Sequence, residues 1–161
     1  MEENRFILER IPHRPPFLWV DRVREISEDR ILAEKQVPED LDIFRGHYPD
    51  YPILPGVLIC EALFQTGALL ISEMMNREDG GEEEGDILAG VPVLTRIHEA
   101  KFKRGAYPGD NLALEVTFKE KLGNAWFMKG TARISGKTAV KVEFACTLAE
   151  EERIIAEDSS N

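Results

Sequence analysis

In the second half of the chain, apolar and polar residues alternate one by one. Leu112, Leu114, Val116 and Phe118 stand between Ala113, Glu115, Thr117 and Lys119. Trp126, Met128, Ala132 and Ile134 share one face of a second run, and Val140, Val142, Phe144, Cys146 and Leu148 share one face of a third. A period of two puts successive side chains on opposite faces of a strand, so these runs predict half-buried antiparallel strands. Turn residues separate them at Pro108-Gly109-Asp110, Gly123-Asn124 and Ser135-Gly136-Lys137. Upstream, the extended runs Phe17 to Ile26 and Arg30 to Val37 are joined by Ser27-Glu28-Asp29, which reads as a hairpin.

The rhythm changes between about Pro55 and Met75, where apolar residues occupy nearly every side. Proline suits the first helical position, and apolar residues all round predict a helix enclosed by protein. About 20 helical residues span about 30 Å, enough to cross a bilayer. Glu61, Gln65 and Thr66 interrupt the run, however, and Glu73, Arg77 and an acidic segment follow in place of a basic flank, so no membrane insertion is expected. Before the strands, an apolar lead at Phe6 to Ile11 meets Pro12-His13-Arg14-Pro15-Pro16, where a helix cannot continue. The stretch from Pro38 to Pro55, with four prolines and Gly46, predicts a structured loop. One enclosed helix and a meander of long strands give an α+β class, with an antiparallel sheet curled around a helix at about 55–75.

Length and charge refine this picture. The 161 residues suit one domain, expected over 1–149. Hydrophobic residues at 43% and charged residues at 31% fit a globular chain and exclude a wholly disordered one. The net charge of -10 is unevenly placed. Residues 77–86 hold six acids and one base, and 150–161 five acids and one base, leaving a nearly neutral body of 19 acids and 18 bases. These segments read as an acidic loop and an acidic, disordered tail, and the overall sign argues against nucleic-acid binding. Cys60 and Cys146 stand far apart with no Cys or His spacing suited to zinc, and Met1 to Arg5 lacks a basic lead. No metal and a cytoplasmic location are expected.

Candidate chemistry concentrates in the middle of the chain. Taken alone, His47 in Phe44-Arg45-Gly46-His47-Tyr48-Pro49 reads as a loop histidine with local hydrogen bonds. Glu61, beside Leu58, Ile59, Leu63 and Phe64, is either a structural acid bonded to backbone or Gln65, or a functional one, because burying an unpaired carboxylate is unfavourable. If the helix starts at Pro55, the N–H groups of Gly56 and Val57 lack helical partners and point outward at its positive end, where they can polarise a carbonyl oxygen. The missing side chain at Gly56 would let that oxygen approach. His13 among its prolines, and His98 on an alternating strand, read as structural or surface residues.

The ordered motifs resemble a known family. They are Ile11-Pro12-His13-Arg14-Pro15-Pro16-Phe17-Leu18 with Val20-Asp21-Arg22-Val23, Gly46-His47-Tyr48-Pro49 with Pro52, Pro55-Gly56-Val57-Leu58, Glu61-Ala62 with Gln65, and Ala100-Lys101-Phe102-Lys103-Arg104 with Pro108-Gly109-Asp110. From about residue 7 to 149 the chain resembles the β-hydroxyacyl-acyl carrier protein dehydratases of type II fatty acid synthesis. The resemblance implies a hot-dog fold and homodimers with sheets side by side, with a trimer of dimers as a further assembly. It also implies active sites at the subunit interface, His47 facing Glu61 of the partner subunit, and elimination of water from a (3R)-3-hydroxyacyl thioester to the trans-2-enoyl product, with neither cofactor nor metal. The sister branch that also isomerises carries Asp where this chain has Glu61. Arg96 and His98 stand where the family usually has Gly and Asp, Asp40 where Asn is common, and the acidic loop after Arg77 is longer than usual.

The residues suit that chemistry independently. Imidazole is a base suited to taking a C2 proton, N–H donors stabilise charge on the thioester oxygen, and a carboxyl can protonate the leaving hydroxyl. His47 is therefore expected as base, Glu61 as acid, and the Gly56 and Val57 backbone as oxyanion donors. The basic run Arg96, Lys101, Lys103 and Arg104 is either a solvated strand edge or a docking patch for an acidic carrier protein. A thioesterase on the same fold and a non-catalytic acyl-binding module are the rival readings.

Overall fold

The computed structural model describes residues 2–80 and 90–149. Most of the predicted acidic loop, from 81 to 86, and the predicted tail at 150–161 lie outside the described residues. The chain order is helix α1 (Glu2–Arg10), strands β1 (Arg22–Ile26) and β2 (Arg30–Gln36), a short 3-10 turn (Asp42–Arg45), helix α2 (Gly56–Glu78), then β3 (Pro92–Phe102), β4 (Asn111–Leu122), β5 (Ala125–Ile134) and β6 (Lys137–Leu148). The strands form one sheet in the order β1-β2-β4-β5-β6-β3, with every neighbouring pair antiparallel.

The alternating runs become β4, β5 and β6, and the expected faces are the buried ones: Leu112, Leu114 and Val116, then Trp126 and Met128, then Val140, Val142 and Phe144. Ser135 and Gly136, both at positive φ (49° and 76°), close the β5–β6 hairpin. The earlier hairpin also forms, but Phe17 to Asp21 stay outside the strand that was expected to include them.

The sheet packs its inner face against α2, whose residues from Ile59 to Ile71 are all buried except Glu61. By length and composition α2 could cross a membrane, yet 67% of its apolar window is buried within the protein, which marks it as the core helix. Helix and sheet meet closely at Gly67, where an added Cβ would lie 2.8 Å from Cζ of Phe144. Phe144 in turn meets Phe64 edge-on, with ring centroids 4.9 Å apart.

Two features depart from simple periodicity. The apolar lead is the end of α1, held because Ile7 and Ile11 enter the core and Arg10 Nε donates to Glu73 Oε2 on α2 at 2.9 Å. Strand β3 lies at the sheet edge, and its pairing with β6 shifts register between Leu94 and Arg96 and again between Ile97 and Glu99. Each irregularity interrupts the period of two. Beyond Pro92 the strand is largely open to solvent, with Ile97 50% and Phe102 54% exposed.

Candidate active site

Helix α2 begins without a side-chain cap. The N–H groups of Gly56 and Val57 have no hydrogen-bond partner among the described residues, so two donors remain at the positive end of the dipole, as expected. Glycine at 56 also meets a packing demand. The space of a Cβ at Gly56 is taken by the Phe102 ring, whose Cδ1 lies 2.6 Å from the ideal Cβ position. Glycine at 56 thus lets the end of β3 lie against the helix start. Lys101, Lys103 and Arg104 flank that ring and are all exposed, and the backbone N–H groups of Lys103 and Arg104 donate to Ala139. Arg96 lies mid-strand on β3, exposed and apart from this cluster. His98 is also exposed and stacks on Phe127, with ring centroids 5.6 Å apart.

Glu61, farther along α2, has a side chain 23% exposed. Gln65 Nε2 donates to Glu61 Oε1 at 2.9 Å, and His13 Nε2 lies 3.7 Å from the same oxygen. These groups share a cavity of about 210 Å³ with Phe64, Cys146 and the start of β3. Burial pushes the Cys146 thiol up to about 12, assisted by the nearby Glu61 charge. Burial likewise pulls the His13 imidazole below its ordinary value; the Glu61 charge opposes this and Arg14 reinforces it. His13 Nδ1 is buried with no partner among the described residues. A bare lone pair there is less costly than an unpaired N–H, which assigns the hydrogen to Nε2, facing Glu61. His13, read from the sequence as a structural residue, thus lies beside Glu61 in the same cavity. Its signal was position: it follows the buried Ile11 by two residues and is fixed among prolines.

His47 stands in a different setting. Phe44 is buried in the preceding turn, His47 N–H donates to Ile43 at 2.9 Å, and its ring stacks on Tyr48 at 4.3 Å. His47 Nδ1 lies 2.7 Å from the Ile53 carbonyl. A carbonyl only accepts, so Nδ1 carries a hydrogen, and in the neutral ring the lone pair lies on Nε2, which has no hydrogen-bond partner among the described residues. The loop then reaches α2 past Leu54, whose N–H donates to Ala106 at 2.8 Å, so His47, the helix start and the basic end of β3 belong to one region. Among the described residues, no hydrogen bond or ion pair joins His47 to Glu61, and His47 does not line the Glu61 cavity. A larger open groove of about 670 Å³ runs past Leu18, Asp21, Lys35 and Asn111, but Lys35 there is already paired with Asp21 at 2.9 Å and neither candidate residue lines it.

The model of the FabA-like domain matches residues 11–143. The chain belongs to the FabA-like family. Among curated family relatives, the 3-hydroxyacyl-[acyl-carrier-protein] dehydratase FabZ of Anaeromyxobacter sp. (strain K) is 41% identical over 144 residues, covering 89% of this chain and 88% of the relative. The FabZ of Clostridium perfringens (strain SM101 / Type A) is 42% identical over 137 residues, covering 85% and 91%. Among solved structures, the dehydratase heterocomplex ApeI:P of Xenorhabdus doucetiae superposes with a TM-score of 0.73 at 14% identity, covering 96% of this chain and 97% of that one. A hypothetical thioesterase with coenzyme A from Streptococcus pneumoniae TIGR4 gives a TM-score of 0.56 at 9% identity, covering 92% and 94%. At such low identities the likeness concerns the fold, the hot-dog arrangement of this FabA-like chain.

Proposed function

We propose that the protein removes water from (3R)-3-hydroxyacyl thioesters on acyl carrier protein, giving trans-2-enoyl thioesters in fatty acid or related lipid synthesis. Relatives about 41% identical over most of the chain bear the name of this activity. The structural observation that supports the reading is that, among the described residues, His47 is held through Nδ1 with no partner on Nε2, and Glu61 is held through Oε1 with no partner on Oε2.

His47 Nε2 takes the proton from C2, and negative charge moves onto the thioester oxygen, where the N–H groups of Gly56 and Val57 stabilise it more than the ground state. As the C2–C3 double bond forms, the C3–O bond breaks and the hydroxyl leaves as water with a proton from Glu61. The cycle ends with His47 protonated and Glu61 ionised, and proton exchange resets both. Every proton in this scheme is moved by a side chain, and no cofactor or metal takes part.

Because the chain does not bring His47 to Glu61, we place the complete site between two copies, with His47 of one subunit facing Glu61 of the other. Open β3 edges with exposed Ile97 and Phe102 suit sheets lying side by side. A trimer of dimers is a further assembly compatible with such a dimer. Exposed Lys101, Lys103 and Arg104 at the helix start provide a positive field for an acidic carrier protein, with Arg96 farther along the same strand. Free, buried Cys60 and Cys146 suit a cytoplasmic setting.

The test is incubation with 3-hydroxyacyl thioesters of graded length, following enoyl absorbance and free thiol together. Enoyl product without thiol release is expected, and Glu61→Gln or His47→Ala in folded protein should lower the rate by about 10² to 10⁴. Thiol release in place of enoyl product would turn the reading into hydrolysis, and near-normal rates in either variant would remove the residue roles.

A further inference from the structure

Gln65 follows Glu61 by four positions, so both side chains lie on one face of α2. Its amide makes three hydrogen bonds. The Trp19 N–H donates to Gln65 Oε1 at 2.8 Å, while Gln65 Nε2 donates to the Phe17 carbonyl and to Glu61 Oε1, both at 2.9 Å. The main chain fixes which way this amide points. A peptide N–H can only donate and a carbonyl can only accept, so Oε1 must meet Trp19 and the NH2 group must meet Phe17. Turning the amide over would oppose donor to donor and acceptor to acceptor, at a residue only 1% exposed.

The constraint passes to the carboxyl. One NH2 hydrogen is committed to Phe17 and the other points at Glu61 Oε1, which is thereby held as an acceptor. A hydrogen on that oxygen would compete with the amide hydrogen already directed at it. His13 Nε2 faces Oε1 too, from 3.7 Å, beyond hydrogen-bond reach. Oε2 has no hydrogen-bond or ion-pair partner among the described residues. Among the described residues, the other groups facing Glu61 are His13, from the segment after α1, whose charged form burial disfavours, Cys146 of β6, a thiol kept neutral by burial, and Pro92, Val93 and Leu94 of β3, which do not titrate.

We propose that Gln65 is a positioning residue that assigns the transferable proton of Glu61 to Oε2, using the backbone of Phe17 and Trp19 as its fixed reference. The inference rests on Glu61 acting as the acid. In the elimination step the Oε2–H bond breaks, that proton joins the departing hydroxyl to form water, and the bonding pair stays on the carboxylate. The hydrogen bond from Gln65 Nε2 to Oε1 then becomes charge-assisted, so it strengthens as the proton leaves. Its contribution therefore belongs to kcat more than to substrate binding.

Two measurements test this. Gln65→Met keeps the length of the side chain but neither directs nor accepts a hydrogen bond. Loss of a charge-assisted bond should lower kcat about tenfold or more while KM changes by less than about twofold. In the unmodified protein, ¹H–¹⁵N NMR of the Gln65 side-chain amide should show one of its two hydrogens moving with the protonation of Glu61, followed in parallel by ¹³C NMR of the carboxyl. Wild-type kcat in folded Gln65→Met, or a Gln65 amide indifferent to Glu61 protonation, overturns the proposal. The second measurement decides the matter if Gln65→Met does not fold. Glu61→Gln separates the levels: if it is inactive while Gln65→Met is fully active, only the role of Gln65 falls, and if it retains turnover, the acid reading falls and the proposal with it.

Discussion

Glu61 and His47 differ in how the chain holds them. Glu61 stands on the enclosed part of a long helix, its Oε1 tied through Gln65 to the backbone of Phe17 and Trp19. His47 stands on a partly exposed loop, its ring fixed by one short contact to Ile53 and by stacking on Tyr48. Groups on packed helices keep their geometry more closely than groups on loops. The surroundings of Glu61, the proposed acid, are thus assembled within one chain, whereas the imidazole is hydrogen-bonded through Nδ1 alone and keeps an open face. The contrast is what the proposed site between two copies requires, each chain supplying one half.

The strongest way to break that comparison is to mix inactive chains. When His47→Ala and Glu61→Gln are expressed together with different tags and purified as the mixed dimer, one of its two sites holds both native groups and the other holds neither. We expect about half of the wild-type rate per dimer, against a loss on the order of 10² or more in either homodimer. Mixed dimers as inactive as the homodimers would return the site to a single chain.

Next in size is the charge at the helix start. Lys103→Glu with Arg104→Glu should lower kcat/KM for carrier-protein substrates about tenfold at low salt, and less as salt rises, while coenzyme A thioesters are turned over at nearly the normal rate. Equal losses for both substrates would assign these residues to folding. A smaller effect is expected at Gly56→Ala, whose new Cβ must displace the Phe102 ring from 2.6 Å. A fall of about threefold to tenfold should be partly restored by adding Phe102→Ala, on the scale of ordinary overpacking. The absence of coupling in that double-mutant cycle would show that the ring is not what glycine accommodates.

The smallest effect concerns His13 and pH. Burial lowers its folded-state pKa below the ordinary 6.5, so it is neutral in both states at higher pH. As pH falls below 6.5 the unfolded chain takes the proton first, and stability declines until the folded-state value is passed. His13→Leu should flatten this part of the decline in urea midpoints measured between pH 7 and pH 5. An unchanged slope would mean that burial of His13 is not linked to folding.

The periodic elements were legible because one face of each is buried: the faces through Leu114, Met128 and Phe144 were set by a period of two, and α2 by apolar residues on all sides. The resemblance and the rarity of an acid among apolar neighbours brought out Glu61. What escaped depends on contacts between distant segments. Helix α1 is held by Arg10 on Glu73, 63 residues away, and its own sequence is largely polar. The irregularities of β3 around Thr95 and His98 arise in its pairing with β6 and leave no composition signal. The role of Gly56 depends on Phe102, 46 positions later, and the placement of His13 on the return of the chain across α2.

Gly67 lies six residues beyond Glu61 and two beyond Gln65, against Phe144 at a distance that leaves no room for another carbon. That contact limits how α2 can rotate or slide across the sheet, and the aim of Glu61 is carried by the same rigid cylinder. A methyl group added at Gly67 would be expressed as misdirected chemistry as well as lost stability. A redesigned interior along this wall would therefore change where the Glu61 carboxyl points as well as how firmly the helix is held.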